Sequence, residues 1–365
     1  VKVVVTGGGT GGHIYPALAV VEAIRRLDPA NEVRYIGGVT GMEAQIVPAA
    51  GVPFTGVTTK KLTKVLSPGT IGVLFALFKG YREARAVMKA WKPDLAIGTG
   101  GYVAGAAIIA AAKMGCPTMI LSPDAVPGRT NLLLSRWSKR IGLWLGDTAS
   151  AFPSGKTLVT GLPIRSDVLS KATVQQARAE LGLRENTFTV FVIGGSQGAQ
   201  RVNELVVDAV GLLDTGIQIL HQTGPKNHND VLARVKEKGS GGAFHLPLPY
   251  LDSRQIPLAY RAADVVLCRS GVSTLAEGTA NGRPLLMVPL PTSYADHQSF
   301  NARAIEAGGG GMFFPQLGLT PEILAAVITD LRNDNAKRDA LAKASLSLGR
   351  PGAADEVVRL AVELM

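Results

Sequence analysis

The residues of this chain best suited to chemistry sit beside glycine-rich turns. His13 ends the run Gly7-Gly8-Gly9-Thr10-Gly11-Gly12-His13. An imidazole is close to its pKa at neutral pH and can take a proton from a hydroxyl. The same ring could instead order the turn or bind a phosphate, and both readings stay open. Asp124 is the alternative base. A second turn, Gly194-Gly195-Ser196-Gln197-Gly198-Ala199, follows the apolar run Val190-Phe191-Val192-Ile193. Each turn reads as buried strand, glycine-rich turn and helix N-terminus. Such a turn aims backbone N–H groups and the positive end of a helix dipole at an anion. Two of them, about half a chain apart, suggest two α/β domains facing across a cleft that holds a phosphorylated ligand.

Two further turns carry polar groups. Gly98-Thr99-Gly100-Gly101-Tyr102 follows a short apolar run and opens a helix, either to approach a ligand or to pack helix on sheet. Cys268-Arg269-Ser270-Gly271-Val272-Ser273-Thr274-Leu275-Ala276-Glu277 ends another strand, with Ser270, Ser273 and Thr274 as cap candidates. Glu277 lies about one turn into that helix. A carboxylate there can accept two hydrogen bonds from a ribose diol, or simply favour the helix dipole. The first turn lacks the acidic residue that a dinucleotide site wants at the end of the second strand, which reads Tyr35-Ile36-Gly37-Gly38. It also lacks the Gly-Lys-Ser/Thr ending of a P-loop, so NAD and ATP are disfavoured. No Asp-x-Asp motif occurs, so an obligatory divalent cation is not indicated. His221, His228 and His245 share no metal-ligand spacing and read as structural or surface residues, so no metal site is expected.

The elements that must position these groups alternate. Strands are expected at Lys2–Val5, Val33–Ile36, Leu95–Gly98, Thr118–Leu121 and Arg140–Leu143, with a last one near Leu158. Helices are expected at Ala17–Arg26, Glu43–Ala49, Tyr81–Lys89 and Gly105–Lys113. The second half repeats the theme at Thr189–Ile193, Gln218–Gln222, Ala243–Leu246, Val265–Cys268, Leu285–Val288 and Gly311–Phe314, and a last helix begins around Ala353. This alternation predicts two doubly wound parallel sheets, with every glycine turn at a strand's carboxyl end. A polar stretch from Ser170 to Asn186 places the boundary near 164.

At 365 residues there is room for two domains. Cys116 and Cys268 form no disulfide framework and fit a reducing compartment. The chain opens on a strand, so no signal peptide is expected, and no apolar run is long enough to span a bilayer. The net charge of +10 is concentrated between residues 60 and 92, where eight cations face one acid, Glu83. Ile71, Val73, Leu74, Phe75, Leu77, Phe78 and Trp91 interleave with that charge. The segment is either a surface for anionic lipid or an amphipathic helix pair with a solvated basic face. Nucleic acid is disfavoured, because few aromatics accompany the charge.

Taken in order, the first turn with Pro16, the Gly98–Tyr102 turn, the Gly194–Ala199 turn, the Cys268–Glu277 run, Asp296-His297-Gln298 and Asn301-Ala302 closely resemble a known family. It is the MurG family of bacterial cell-wall glycosyltransferases, and the resemblance spans essentially the whole chain. It implies the GT-B fold, two Rossmann-like domains facing across a cleft. It implies transfer, with inversion, of N-acetylglucosamine from UDP-N-acetylglucosamine to undecaprenyl-linked lipid I, giving lipid II for peptidoglycan. Residues 1–163 would take the acceptor and rest peripherally on the cytoplasmic face of the membrane, and 60–92 would supply the lipid-facing patch. Trp91, Trp137 and Trp144 would be interfacial anchors unless they pack in the core. Residues 164–345 would bind the donor. Residues 346–365 would form a helix that packs back on the first domain.

By the same resemblance, Arg165 and the backbone at Leu251 would meet uracil, Ser196 with Gln197 and Gly198 the diphosphate, and Glu277 the ribose. Val272, Ser273, Thr274, Leu275 and Ala276 would line the site, and His297 and Gln298 would contact the sugar. Thr10, Gly11, Gly12 and Tyr102 would serve from the other domain. A cell-wall enzyme complex is a further partner that the family admits. One departure stands out. Where the family carries His-Glu-Gln-Asn, this chain reads Leu121-Ser122-Pro123-Asp124 before Ala125, so the family's Glu falls on Ser122 and its Asn on Asp124. Two other readings share the fold: a UDP-sugar 2-epimerase, and a catalytically degenerate UDP-sugar-binding scaffold.

Overall fold

The computed structural model describes residues 1–60, 69–238 and 242–365, and the chain divides into two compact units. Unit 1 comprises Val1–Arg165 and Pro351–Met365, and unit 2 comprises Ser166–Arg350. In unit 1 the strands β1 (Lys2–Thr6), β2 (Glu32–Gly38), β3 (Phe54–Val57), β4 (Leu95–Gly98), β5 (Thr118–Ser122), β6 (Arg140–Leu143) and β7 (Thr157–Val159) form a parallel sheet, ordered β3-β2-β1-β4-β5-β6-β7. In unit 2 the strands β8 (Phe188–Ile193), β9 (Ile217–Gln222), β10 (Phe244–Leu248), β11 (Val265–Cys268), β12 (Leu285–Met287) and β13 (Gly311–Phe313) form a second, ordered β10-β9-β8-β11-β12-β13.

The central strands are apolar without alternation because helices cover both faces, which makes them legible as runs such as Val3-Val4-Val5. Strand order reverses between β1 and β4 in one unit and between β8 and β11 in the other. Ligands of doubly wound sheets bind at that switch point, outside the carboxyl ends. In register, Thr6 pairs with Gly98 and Ile193 with Cys268, so the four glycine-bearing turns emerge in adjacent pairs at the two switch points.

Two elements begin earlier than their sequence suggests. The first helix runs Gly11–Leu27, six residues ahead of the expected Ala17. The Thr10 carbonyl accepts from the N–H groups of His13 and Ile14, and Pro16 forgoes only one helix bond in the second turn. His13 therefore belongs to a helix and not to a free loop. The basic helix runs Gly69–Trp91 and not Tyr81–Lys89. Ala76, Gly80, Ala84 and Met88 are spaced four apart and buried, and the first three are small, which lets the helix lie close to the Ala104–Lys113 helix. Lys61 and Lys64 lie outside the described residues, as do the side chains of Ile71, Val73 and Leu74. Among the elements without an expectation are β3, the helix Arg129–Leu134 and the helix Val174–Glu180.

In unit 1, Ala354, Val357, Val358, Leu360 and Ala361 of the Ala353–Val362 helix join the core formed by β1 and the Gly11–Leu27 helix. Burying several such side chains at about 1.5–3 kcal/mol each far outweighs the exposed Arg26–Asp355 ion pair across the same contact.

Candidate active site

The unit 2 switch point opens into a cavity of about 650 Å³. Its wall includes Gly194, Gly195 and Gly198 after β8, and Arg269, Gly271 and Thr274 after β11. Gly198 needs glycine: its φ is +73°, and an added Cβ would lie 1.9 Å from the Thr223 carbonyl. The helices that open here, Gln200–Val210 and Val272–Ala280, begin at Ala199 and Gly271 with no side-chain cap. That corrects the expectation that Ser270, Ser273 or Thr274 caps the second helix. The hydroxyls of Ser270 and Ser273 are instead buried without a hydrogen-bond partner. Both helix ends thus keep their first-turn N–H groups for an anion.

Arg269 and Arg201 are the cations of this wall, and Arg269, a residue given no role from sequence, is the buried one. Its guanidinium donates to the carbonyls of Val288 and Pro289 at 3.0 and 2.9 Å, and to Gln316 Oε1 at 2.7 Å. Burial lowers its pKa from the ordinary value. Glu204, the acid of the wall, is held by Arg201 and Gln200 of its own helix.

Of the expected donor residues, Gly198, Thr274 and Gln298 line the cavity. Ser196 and Gln197 are exposed on the turn beside it. Val272, Leu275 and Ala276 are buried and can offer only backbone. Leu251 is buried, with its N–H bound to Gln222 Oε1. Glu277 is half-buried and fixed by the Tyr260 hydroxyl, which donates to its Oε2 at 3.1 Å. Gln298 accepts the Leu290 N–H through Oε1 at 2.9 Å, which orients its amide. Before it, Ala295 and Asp296 hold left-handed backbone at φ +50° and +53°. Two adjacent non-glycine residues so placed cost about 1–2 kcal/mol each and set where His297 and Gln298 begin their helix. Arg165 is the last residue of unit 1 before the chain enters unit 2.

In unit 1 the first and third turns meet. Thr99, another residue without an expected role, fixes His13 twice. Its hydroxyl donates to the His13 carbonyl at 2.7 Å, and its carbonyl lies 3.1 Å from His13 Nδ1. A carbonyl only accepts, so Nδ1 carries the proton and the lone pair of the neutral ring falls on Nε2. The ring rests on Gly100 and Gly101, where an added Cβ would come within 2.8 and 3.1 Å of it. Tyr102 packs against Gly9, and its phenol is raised by burial and by the charge of Glu43. Ser122 ends β5 with its hydroxyl buried and unpartnered, and Asn131 has a buried, unpartnered Oδ1 while its Nδ2 donates to the Leu121 carbonyl. Asp124 is half-buried two residues beyond β5.

The first turn departs from expectation in one respect. The Gly9 N–H does not face outward for an anion, because the buried carboxylate of Glu43 accepts it at 3.1 Å. Three of the four histidines of unit 2, His221, His228 and His245, come together although their spacing gave no sign of it. His221 Nδ1 lies 3.2 Å from His245 Nε2, its Nε2 lies 3.0 Å from Asn203 Oδ1, and His228 meets Thr223.

On the basic helix, Phe75, Phe78, Arg82, Arg85 and Lys89 form one exposed stripe at spacings of three and four. Leu132 and Leu133 are also exposed, with Arg129 and Arg136 beside them. The start of the Ala104–Lys113 helix links the two elements: a Cβ at Gly105 would lie 3.9 Å from Thr130 and 4.0 Å from Leu77. Trp144 is 4% exposed and belongs to the core, so it cannot anchor at an interface. Trp91 is half-buried under Arg34 and Lys2. Among the described residues, no helix is long and apolar enough to cross a membrane.

Comparison with known proteins agrees with this geometry. Residues 3–143 match the glycosyltransferase family 28 N-terminal domain and residues 189–357 its C-terminal domain. The chain is 36% identical over 371 residues to the UDP-N-acetylglucosamine--N-acetylmuramyl-(pentapeptide) pyrophosphoryl-undecaprenol N-acetylglucosamine transferase of Desulforudis audaxviator, covering all of this chain and 98% of that one. It is 35% identical over 364 residues to the protein of the same name from Bacillus subtilis, covering all of this chain and 99% of the other. The crystal structure of Acinetobacter baumannii MurG superposes with a TM-score of 0.79 at 28% identity, over 99% of each chain. A UDP-GlcNAc 2-epimerase from Neisseria meningitidis shares the fold alone, at 13% identity and a TM-score of 0.69 over the whole of both chains. With two Rossmann-like units, each matched to one half of family 28, this chain has the GT-B fold and belongs to the MurG family of N-acetylglucosaminyltransferases.

Proposed function

We propose that this protein transfers N-acetylglucosamine from UDP-N-acetylglucosamine to the muramoyl 4-hydroxyl of lipid I, with inversion, giving lipid II. The observation that carries the reading is the full-length identity to transferases of that name, together with an anion-ready cavity at the unit 2 switch point. Unit 2 holds the donor. Its uncapped helix ends and Arg269 receive the diphosphate, Glu277 accepts from the ribose hydroxyls, and Gln298 with His297 holds the sugar. Unit 1 takes the acceptor. His13 Nε2 accepts the proton of the attacking hydroxyl while that oxygen bonds to the anomeric carbon. The bond from that carbon to the β-phosphate oxygen breaks, and UDP leaves with the electron pair. Oriented N–H groups and a buried guanidinium stabilise the growing charge without reorganising.

The exposed stripe Phe75–Phe78–Arg82–Arg85–Lys89, with Leu132, Leu133 and Arg136, supports a peripheral seat on the anionic cytoplasmic face of the membrane. Apolar groups flanked by cations suit the boundary between headgroups and acyl chains.

Incubation of the protein with UDP-N-acetylglucosamine and a lipid I analogue tests the transfer. Disaccharide product is expected. Epimerised free sugar would establish the 2-epimerase instead. Donor binding without turnover would make the Ser122–Asp124 departure the mark of a non-catalytic scaffold.

A further inference from the structure

Glu43 is an anomaly of unit 1. Among the described residues it is the only acid so wholly buried, and none of their cations forms an ion pair with it. Carboxylate oxygens so enclosed need hydrogen-bond donors, because leaving buried polar groups unpaired is costly. Two backbone amides supply them: Gly9 N–H donates to Oε2 and Gly38 N–H to Oε1, both at 3.1 Å. The surrounding chain is moulded on the carboxylate. A Cβ at Gly8, Gly38 or Gly41 would lie 2.5, 2.9 or 2.1 Å from its carboxyl atoms, and one at Gly37 would lie 2.9 Å from Cγ. The equivalent turn of unit 2 is different. A Cβ at Gly195 would meet nothing within 4 Å, and the cavity opens there.

We infer that Glu43 is the resident anion of the first glycine turn. It occupies amides that a ligand phosphate would otherwise take, fixes the turn between β1 and the Gly11–Leu27 helix, and so positions His13 four residues on. Its role in turnover rests on the transfer reading above, whereas its role as an anion on the Gly9 and Gly38 amides does not.

The test uses the full chain with Glu43→Gln and Glu43→Ala. The Gln variant keeps the shape but turns an amide NH₂ toward one of the two N–H donors. Its kcat should fall roughly ten- to a hundredfold, the scale of a misplacement of order 1 Å, with the donor KM within about twofold. In the Ala variant, formate should shift the Gly9 and Gly38 amide resonances and restore kcat, and neutral formamide should do neither. Parent-like kcat in both variants, or equal effects of formate and formamide, overturns the inference. Should the parent itself transfer no sugar, the transfer reading fails, and the amide shifts still decide the anion role. If the Ala variant does not fold, the Gln variant decides alone.

Discussion

Replacing Glu277 separates a ligand role from a structural one. Its Oε2 accepts from the Tyr260 hydroxyl, and Tyr260 is fully buried. Burial, followed by the charge of Glu277, raises that phenol well above its ordinary pKa, so the hydroxyl remains a donor throughout the working range. On the proposed reading Glu277→Ala removes a charged acceptor for the ribose diol, at about 1.5–3 kcal/mol of binding, and should weaken UDP affinity about 10- to 150-fold. It also leaves the Tyr260 hydroxyl buried and unpaired, at about 1–3 kcal/mol of stability. Tyr260→Phe removes the internal hydrogen bond and keeps the carboxylate. Its stability should fall by about 1 kcal/mol while UDP affinity changes less than about threefold. Calorimetry with UDP and urea unfolding of both variants read the two quantities separately. An unchanged dissociation constant in Glu277→Ala would refute the ribose role. Equal loss of affinity in both variants would show that the carboxylate acts only through packing.

Arg269→Gln should weaken UDP binding by about 2 kcal/mol, roughly thirtyfold. Arg269→Lys should not restore it, because an ammonium cannot reproduce the fork onto Val288, Pro289 and Gln316; parent-like affinity in either variant removes the guanidinium from the site. Acid should destabilise unit 2. Burial pushes His245 down to about 4 and, with the nearby His245 and His228, holds His221 well below the usual imidazole range. The unfolded chain then binds more protons below about pH 6.5, so stability falls between there and pH 4, by about 3 kcal/mol from His245 alone. Urea midpoints should follow this slope and flatten in His245→Phe; a flat profile in the parent defeats the argument. Replacing Lys79, Arg82 and Arg85 with Ser should weaken binding to anionic vesicles by about 3 kcal/mol while sparing a short-chain acceptor. Equal vesicle binding by parent and variant would remove the lipid role of this face.

What could be read from the sequence is what local pattern fixes. Strands buried on both faces announce themselves as unbroken apolar runs, and the turns at their ends carry glycine because backbone passes backbone there. β3 was missed because an edge strand of four residues that includes Gly56 has neither run nor alternation. Thr99 was visible in its motif, but nothing in Gly98-Thr99-Gly100 says that its carbonyl reaches a histidine 86 residues away. Arg269 is held by the Val288 and Pro289 carbonyls just beyond β12 and by Gln316, 47 residues downstream. Glu43 is the extreme case. The end of the second strand, Tyr35-Ile36-Gly37-Gly38, carries no acid, and the one that enters the turn comes from the next helix.

That last difference explains how two copies of one device come to do different work. At equivalent switch points, unit 1 places a carboxylate on the glycine amides and unit 2 places a guanidinium beside them. At an effective dielectric of about 20, one pair of charges about 5 Å apart is worth roughly 3 kcal/mol. A diphosphate carries at least two charges; with Glu204 of the unit 2 wall paired to Arg201, the Glu43 carboxylate in one unit and the Arg269 guanidinium in the other would bias its location by several kcal/mol. Neither effect requires a change of fold, of strand order or of turn sequence. On the proposed reading the nucleotide is thereby directed to unit 2, and the first turn, whose Gly9 amide is already taken by Glu43, is left to hold His13 in place.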